Sequence, residues 1–326
     1  MFDVARRAGV SHQTVSRVLN GSPAVRPETR ERVEAAIAEL GYRRNSAARS
    51  LVTRRSETLG VVSFGSTLYG PASTLFGIEH AAREAGYFVS VANLPSLAPE
   101  SMQQAVDRLL AQSVEGIVVL APQHDAGAAV ATLPQNLALV AVEGEVVGGR
   151  YSVSVDQEGG ARVLTEHLLG LGHRTVHHVA GPADWFEATA RVRGWSETLA
   201  AAGRRIPSTR SGDWTARSGY RAVLDLALDD VTALFVANDQ MALGALRALH
   251  ERGVHVPQDV SVVGFDDIPE AEFFGPPLST IRQDFAELGR HSIRLLLDQL
   301  RGDGGPASCV VPAQLVVRQS TAPPSS

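Results

Sequence analysis

The sequence contains no lysine: all thirty of its basic residues are arginine. That bias fits a GC-rich coding genome better than a functional demand, but it leaves no residue to complete a phosphate-cradling G-x-x-x-x-G-K-[ST] loop. No G-x-S-x-G nucleophile elbow occurs either, so an enzyme reading has little to stand on. A single cysteine, Cys309, permits no internal disulfide and no cysteine-based metal site. No apolar run approaches the roughly 18–20 residues that a membrane span needs. No basic stretch with an apolar core precedes the first helical pattern, so a secretory signal is not expected. Together these absences point to a cytoplasmic protein without cofactors and without a membrane partner.

What is present is unevenly distributed. Residues 1–55 hold eleven arginines against Asp3, Glu28, Glu31, Glu34 and Glu39, a net charge of +6, which leaves −11 for the rest of a chain whose total is −5. A basic head on an acidic body suits phosphate contact by the head and solubility of the body.

Within the head, Val10-Ser11-His12-Gln13-Thr14-Val15-Ser16-Arg17-Val18-Leu19-Asn20 reads as the second helix of a helix-turn-helix. Ala5, Ala8, Val10, Val15 and Val18 are small or apolar at spacings that let two short helices pack, and Gly9 supplies the turn between them. Ser11 is placed to cap the helix with its hydroxyl. His12, Gln13 and Arg17 are left on the outward face, where such side chains read base edges in the major groove. An ordinary helical hairpin with a solvated face has the same local pattern. A third helix, Pro27–Tyr42, begins with proline and ends near Gly41, with Val33, Ile37 and Leu40 as its expected buried stripe. A short basic segment of small residues, Arg43–Leu51, follows.

DVARRAGVSHQTVSRVLNGSPAV, ETRERVEAAIAELGY and NSAARSL together resemble the headpiece and hinge of the lac repressor family, a long and specific pattern. The resemblance implies a double-stranded DNA operator as partner. Ser11, His12, Gln13, Thr14, Ser16, Arg17 and Asn20 would lie on the DNA-binding helix. Asn45, Ala48 and Leu51 would lie in a hinge that becomes helical on the operator, with Leu51 wedged into the minor groove. A helix so short is marginal unless packed, which agrees with folding on binding. The start departs from the family, because Met1-Phe2 lacks the usual capping Thr or Ser before Asp3. A few residues fewer than in relatives, or a fraying first turn, is expected there.

From Glu57 onward strands alternate with helices. Strands are expected at 59–63, 87–91, 116–120, 139–142, 175–180, 233–237 and 260–265, and helices at 75–85, 101–112, 159–171, 185–202, 216–226, 240–252 and 285–300. This order implies parallel, doubly wound sheets. The resemblance implies a small all-α helix-turn-helix headpiece plus a two-lobed α/β core of the periplasmic-binding-protein type. The resemblance extends over this whole region and implies three passages between lobes, near Val155, near Arg282 and at 311–313. The expected division is a headpiece at 1–44, a hinge and linker at 45–56, and a core at 57–322. In that core the first lobe holds about 57–155 and 284–311, and the second about 156–282 and 312–322.

Ligands of such sheets bind beyond the carboxyl ends of strands, where polar and aromatic groups recur here. Trp185 and Arg191 follow one strand, Trp214 lies in Gly212-Asp213-Trp214, Asn238-Asp239-Gln240 and Asp266-Asp267 follow two more, and Gln283 lies near a crossing. Asp and Asn accept from sugar hydroxyls, Arg offers a planar donor fork, and indoles stack on the apolar face of a pyranose. Taken singly, a tryptophan is more often core, and Asn238, Asp239 and Asp267 equally suit helix caps. The resemblance implies an effector site made of Leu68, Pro71, Trp185, Arg191, Trp214, Asn238, Asp266 and Gln283. Leu120, Glu143, Glu187 and Phe64 depart from the family's name-giving member, which has a polar amide, an Asp and two hydroxyl side chains there. His173, His177 and His178 suggest structure rather than metal binding, since strand alternation splits neighbours between faces.

The expected function is therefore a sequence-specific repressor controlled by a small carbohydrate, a β-galactoside or related glycoside. A co-repressor-dependent regulator or an activator is the second expectation, and a sugar-binding transport protein the third. The C-terminal Thr321–Ser326 has no leucine heptads such as join two dimers in some relatives, so a homodimer is expected.

Overall fold

The computed structural model describes residues 1–19, 21–42, 55–64, 67–94, 96, 98–120, 122–144, 151–303 and 308–325. The chain divides into two compact units, Met1–Ser56 and Glu57–Ser326.

The first unit contains three helices among its described residues: Phe2–Ala8 (α1), His12–Leu19 (α2) and Pro27–Glu39 (α3). Their core is made of small and β-branched residues, with Val4, Val15 and Val33 fully buried beside Ala5, Ala8, Val18 and Ala36. Small side chains let three short helices approach closely, which is how so few residues close a core. Gly9 adopts φ +64°, the left-handed turn that ends α1. Arg32 then donates to the free carbonyl of Ala8 at 2.8 Å, tying α3 to that helix end. The expected α3 stripe is corrected at one place. Leu40 is 45% exposed and Ala36 takes the buried position, because the helix ends at Glu39 and Leu40 turns out with the cap.

The second unit is the two-lobed α/β core. Its first sheet has six strands: Thr58–Ser63 (β1), Phe88–Asn93 (β2), Ile117–Leu120 (β3), Leu139–Val142 (β4), Tyr151–Val155 (β5) and Ser308–Val311 (β11). They lie in the order β11-β5-β4-β3-β1-β2, every pair parallel. Helices Tyr69–Glu84 (α4), Pro99–Ala111 (α5), His124–Ala131 (α6) and Phe285–Arg301 (α11) cover it. The second sheet runs β7-β6-β8-β9, from Arg210–Ser211 (β7), His177–Ala180 (β6), Ala233–Val236 (β8) and Ser261–Val263 (β9), again all parallel. Helices Gln157–Gly170 (α7), Phe186–Ala201 (α8), Ala216–Leu224 (α9) and Asp239–Glu251 (α10) flank it. Thr280–Arg282 (β10) and Gln314–Val316 (β12) form a separate antiparallel ribbon. The inner strands are buried throughout, as parallel strands covered on both faces must be, and this is why they read as unbroken apolar runs.

The chain passes between the sheets three times: after Val155, between Arg282 and Phe285, and between Val311 and Gln314. The first two passages end in the same device. Asp156 caps α7 by accepting from Gly159 N at 2.8 Å, and Asp284 caps α11 by accepting from Glu287 N at 2.8 Å. Asp156 N also donates to Val311 O at 2.8 Å, joining the first passage to the third.

Three expectations are revised. Helix α4 begins at Tyr69 rather than Leu75, because Gly70-Pro71, which reads as a turn, sits in a first helical turn that needs no amide hydrogen from Pro71. Helix α6, built mainly from alanine, was not foreseen. Strands β5, β7, β10, β11 and β12 were also not foreseen, being short or half-exposed.

Candidate functional site

In the headpiece, Ser11 Oγ accepts from Thr14 N at 3.2 Å, which satisfies an otherwise free amide at the start of α2. Val15 and Val18 turn inward and leave Ser11, His12, Gln13 and Arg17 exposed, with Thr14 and Ser16 half-buried. The Phe2 ring meets His12 edge-on at 5.4 Å between centroids. Asn20, Asn45, Ala48 and Leu51 lie outside the described residues. The first turn of α1 has no side-chain cap.

In the core, a cleft of about 250 Å³ lies between the lobes, and all eight sequence-derived effector residues line it: Leu68, Pro71, Trp185, Arg191, Trp214, Asn238, Asp266 and Gln283. Leu68 and Pro71 come from the start of α4, and Trp185 and Arg191 from the start of α8. Trp214 and Asn238 immediately precede α9 and α10, Asp266 follows β9, and Gln283 lies in the second passage.

Arg191 is the knot of this wall. It is 3% exposed, and its guanidinium reaches Gln157 Oε1 at 3.0 Å, the carbonyl of Ala237, and Asp266 at 3.6 Å. It stacks on Phe265 at 3.8 Å from the ring centre and faces Trp214 at 5.5 Å. Gln157 Nε2 donates to Gln283 Oε1 at 2.7 Å, and Gln283 Nε2 donates to Asp266 Oδ1 at 2.6 Å. The result is a closed circuit Arg191–Gln157–Gln283–Asp266, in which residues from two of the inter-lobe passages are members. A buried polar circuit whose members are mutually satisfied is rigid, and breaking one link strands the others.

The aromatic wall is a corner. The Trp185 and Trp214 rings meet edge to face at 5.7 Å and 71°. Trp214 takes φ +70°, a left-handed conformation unusual for an aromatic residue, and its indole covers Gly181, where a Cβ would lie 2.3 Å from the ring. Its Nε1 is buried and has no hydrogen-bond partner among the described residues. A rigid indole with a free donor is built to receive an acceptor.

Carboxyls dominate the remaining polar lining. Burial pushes Asp266 up to about 6 against the pull of Arg191 and Gln283. Glu143, whose Oε1 accepts from Val155 N at 3.0 Å, is pushed up to about 7 by burial. Glu187 is held well above the usual carboxylate range by burial and by the charge of Glu143.

The structure sharpens several roles. Asn238 uses Oδ1 to cap α10 through Met241 N at 2.9 Å, and its amide donates to Trp214 O and Gln240 Oε1, so its cap role is real beside its place in the cleft. Asp239 and Asp267 are structural. Asp239 accepts from Ile268 N and Thr280, and Asp267 from Arg282 and Arg318. Phe64 is not among the lining residues and packs instead on the core between α5 and the sheet. Gln240, read with the groups that follow strand 233–237, lines the cleft, whereas Gln157, Tyr69 and Phe285 line it and were missed. Only Gln157 carried a signal, its place directly after the first passage. His173 bonds Thr232, Ser261 and the carbonyl of Ala322, and His178 Nδ1 donates to Phe235 O.

At the rim the lobes touch directly. Gln123 and Trp185 form an antiparallel bridge, His124 N donates to Asp184 O at 3.0 Å, and Phe186 N donates to Pro122 O at 2.9 Å. No described helix is long and apolar enough to cross a membrane.

Comparison with known proteins agrees over both units. Residues 1–45 match the model of bacterial regulatory proteins of the lacI family, and residues 165–321 match a periplasmic binding protein-like domain. The chain is 37% identical to the lactose operon repressor of Escherichia coli K12, over 100% of this chain and 91% of that protein. It is 39% identical to the HTH-type transcriptional regulator CelR of Thermobifida fusca, over 97% and 96%. Among solved structures, the lac repressor dimer bound to operator and the anti-inducer ONPF superposes with a TM-score of 0.89 at 38% identity, covering 98% of each chain. A CelR–cellobiose complex superposes at 0.72 with 35% identity, also over 98% of each.

Proposed function

The chain belongs to the lacI family of bacterial regulatory proteins, and from that premise we propose that it is an operator-binding transcriptional repressor whose hold on DNA is set by a small glycoside in the inter-lobe cleft. The carrying observation is the wall formed by the Arg191–Gln157–Gln283–Asp266 circuit and the Trp185–Trp214 corner. It offers a fixed donor fork, carboxylate acceptors and two indole faces, which is the chemistry of a pyranose with paired hydroxyls. A ligand touching both sides of the cleft stabilises one lobe arrangement, and operator affinity shifts by the ligand's differential affinity for the two arrangements.

In this reading residues 1–44 hold the operator, 45–56 serve as hinge and linker, and 57–322 bind the effector, with Asn45, Ala48 and Leu51 contacting the DNA. His12, Gln13 and Arg17 read bases, and two copies of the chain grip the two half-sites of an approximate palindrome. The glycoside is β-linked, a galactoside or a close relative. The names of the relatives, a lactose operon repressor and a regulator complexed with cellobiose, support that class. Leu120, Glu143 and Glu187 in the wall give this cleft a selectivity of its own.

Gel shifts on the gene's own upstream region, with and without a panel of neutral glycosides, test the proposal. Release of bound DNA by one of them is expected. Binding that appears only when the ligand is added makes the protein a co-repressor-dependent regulator, and a chain that binds no upstream DNA under any condition overturns the reading.

A further inference from the structure

The cleft is short of positive charge. Its lining carries three carboxyls, Glu143, Glu187 and Asp266, but Arg191 is the one cationic side chain among the described lining residues. Arg191 is already committed to Asp266, Gln157 and the carbonyl of Ala237. Its pull on Glu143 and Glu187 is outweighed by burial, so both carboxyls hold their protons more tightly than ordinary acids.

Their placement is specific. Glu143 follows β4 in the first lobe and is held by two constraints. Its backbone sits at φ +56° with its N–H on Val153 O, and its side chain accepts from Val155 N. Strain of that kind persists only where the surroundings enforce it. Glu187 stands in the first turn of α8 in the second lobe, one turn before Arg191 and therefore on the same helix face. Its Oε2 is buried with no partner among the described residues. A buried carboxyl oxygen without a donor is costly to ionise, and a second carboxyl from the opposite lobe adds to that cost, so Glu187 ionises only when a donor or cation reaches it. Trp185 and Trp214 stand in the same wall, and indole faces attract cations. Trp214 Nε1, in a side chain 7% exposed, is a buried donor still waiting for an acceptor. Among the described residues no group of three or more His, Cys, Asp or Glu is placed to hold a metal ion.

We propose that the effector is a glycoside bearing a basic nitrogen, with its ammonium group received between Glu143 and Glu187 and its ring against the two indoles. The proposal rests on the cleft being a glycoside site and names the glycoside's class. The ammonium donates to both side chains at once, stabilises their ionised forms with release of their protons to solvent, and bridges the lobes, while a ring oxygen accepts from Trp214 Nε1. Acidic sugars and sugar phosphates are disfavoured by the same charges.

Calorimetric titration of the full chain with three β-1,4-linked disaccharides tests it: the glucosamine disaccharide with free amines, its N-acetylated form, and cellobiose. Binding of the free-amine sugar at least about tenfold tighter than either neutral sugar is expected. In Glu187→Gln, which keeps the shape and removes the ionisable group, that ratio should collapse towards one while the protein still melts cooperatively. Neutral sugars that bind as well as the amine overturn the inference and leave the glycoside reading standing. If none of the three binds at millimolar concentration, the inference fails, and the glycoside reading is decided by the gel-shift panel. If Glu187→Gln keeps the preference, the amine binds elsewhere and the assignment falls.

Discussion

Arg191 and Glu143 mark two ways in which a buried charge can be held. Arg191 is surrounded by partners, so Arg191→Ala removes the ligand's donor fork and also leaves Asp266 buried beside an empty space. Loss of the ligand response is expected, together with about 3 kcal/mol of core stability, read from urea unfolding and from gel shifts with ligand. Glu143 instead keeps a proton. Its folded value of about 7 stands above the ordinary 4.5. The folded chain therefore holds a proton that the unfolded chain has released. The associated stability is fully present below pH 4.5 and is lost as pH rises through about 7. Between pH 6 and 8 the ligand-free core should lose about 1 kcal/mol. Glu143→Gln, which preserves the acceptor for Val155 N, should flatten that slope in urea melts across the same range. On the headpiece, Arg17 is exposed at the outward face of α2. Arg17→Ala is expected to lower discrimination between operator and scrambled DNA by about 1–3 kcal/mol while keeping salt-dependent background binding. Unchanged discrimination in competition gel shifts removes Arg17 from base reading.

Helix ends and helix crossings decide the element scale. The cap of α2 is one side-chain bond, Ser11 Oγ to Thr14 N, so Ser11→Ala should cost the headpiece about 1 kcal/mol, seen as a lower melting temperature of the helical signal. In the core, α4 and α11 cross with no room for side chains between them. A Cβ on Gly77 would lie 2.2 Å from Phe285 O, and one on Gly289 2.3 Å from the Gly77 backbone. The obstacle is backbone, which cannot swing aside as a flexible side chain would. Gly77→Ala should therefore destabilise the core by about 2–3 kcal/mol by overpacking, whereas Ala is ordinarily the better helix former. A neutral or stabilising effect in urea unfolding would contradict the crossing.

At the scale of the whole molecule the central quantity is the coupling between cleft and headpiece. Linkage makes it reciprocal: if glycoside weakens operator binding by some factor, operator must weaken glycoside binding by the same factor. Titrating the ligand with and without a saturating operator duplex checks the equality, and unequal factors exclude a simple two-state switch. A ligand present at 100 times its dissociation constant should also add about 2.7 kcal/mol to core stability. The homodimer proposed above should appear by light scattering at micromolar concentration, and a tetramer would contradict it.

The sequence by itself determined whatever depends on local pattern. A buried parallel strand must be apolar on both faces, so 117–120, 139–142 and 233–236 announce themselves. Gly9 and Ser11 announce the turn and cap of the helix-turn-helix, polar residues just past strand ends announce a cleft, and the family resemblance selects the eight effector residues that line it. The tertiary structure alone decided which of these groups meet. Gln157 and Gln283 are 126 positions apart, and nothing near either one encodes their bond. The ribbon of β10 with β12 follows from a partner more than thirty positions away in the chain. So does the placing of Glu143 and Glu187, from opposite lobes, in one cleft wall with Arg191. Periodicity records which face of an element leaves water; it carries no record of what stands opposite, because that is fixed only when the lobes pack.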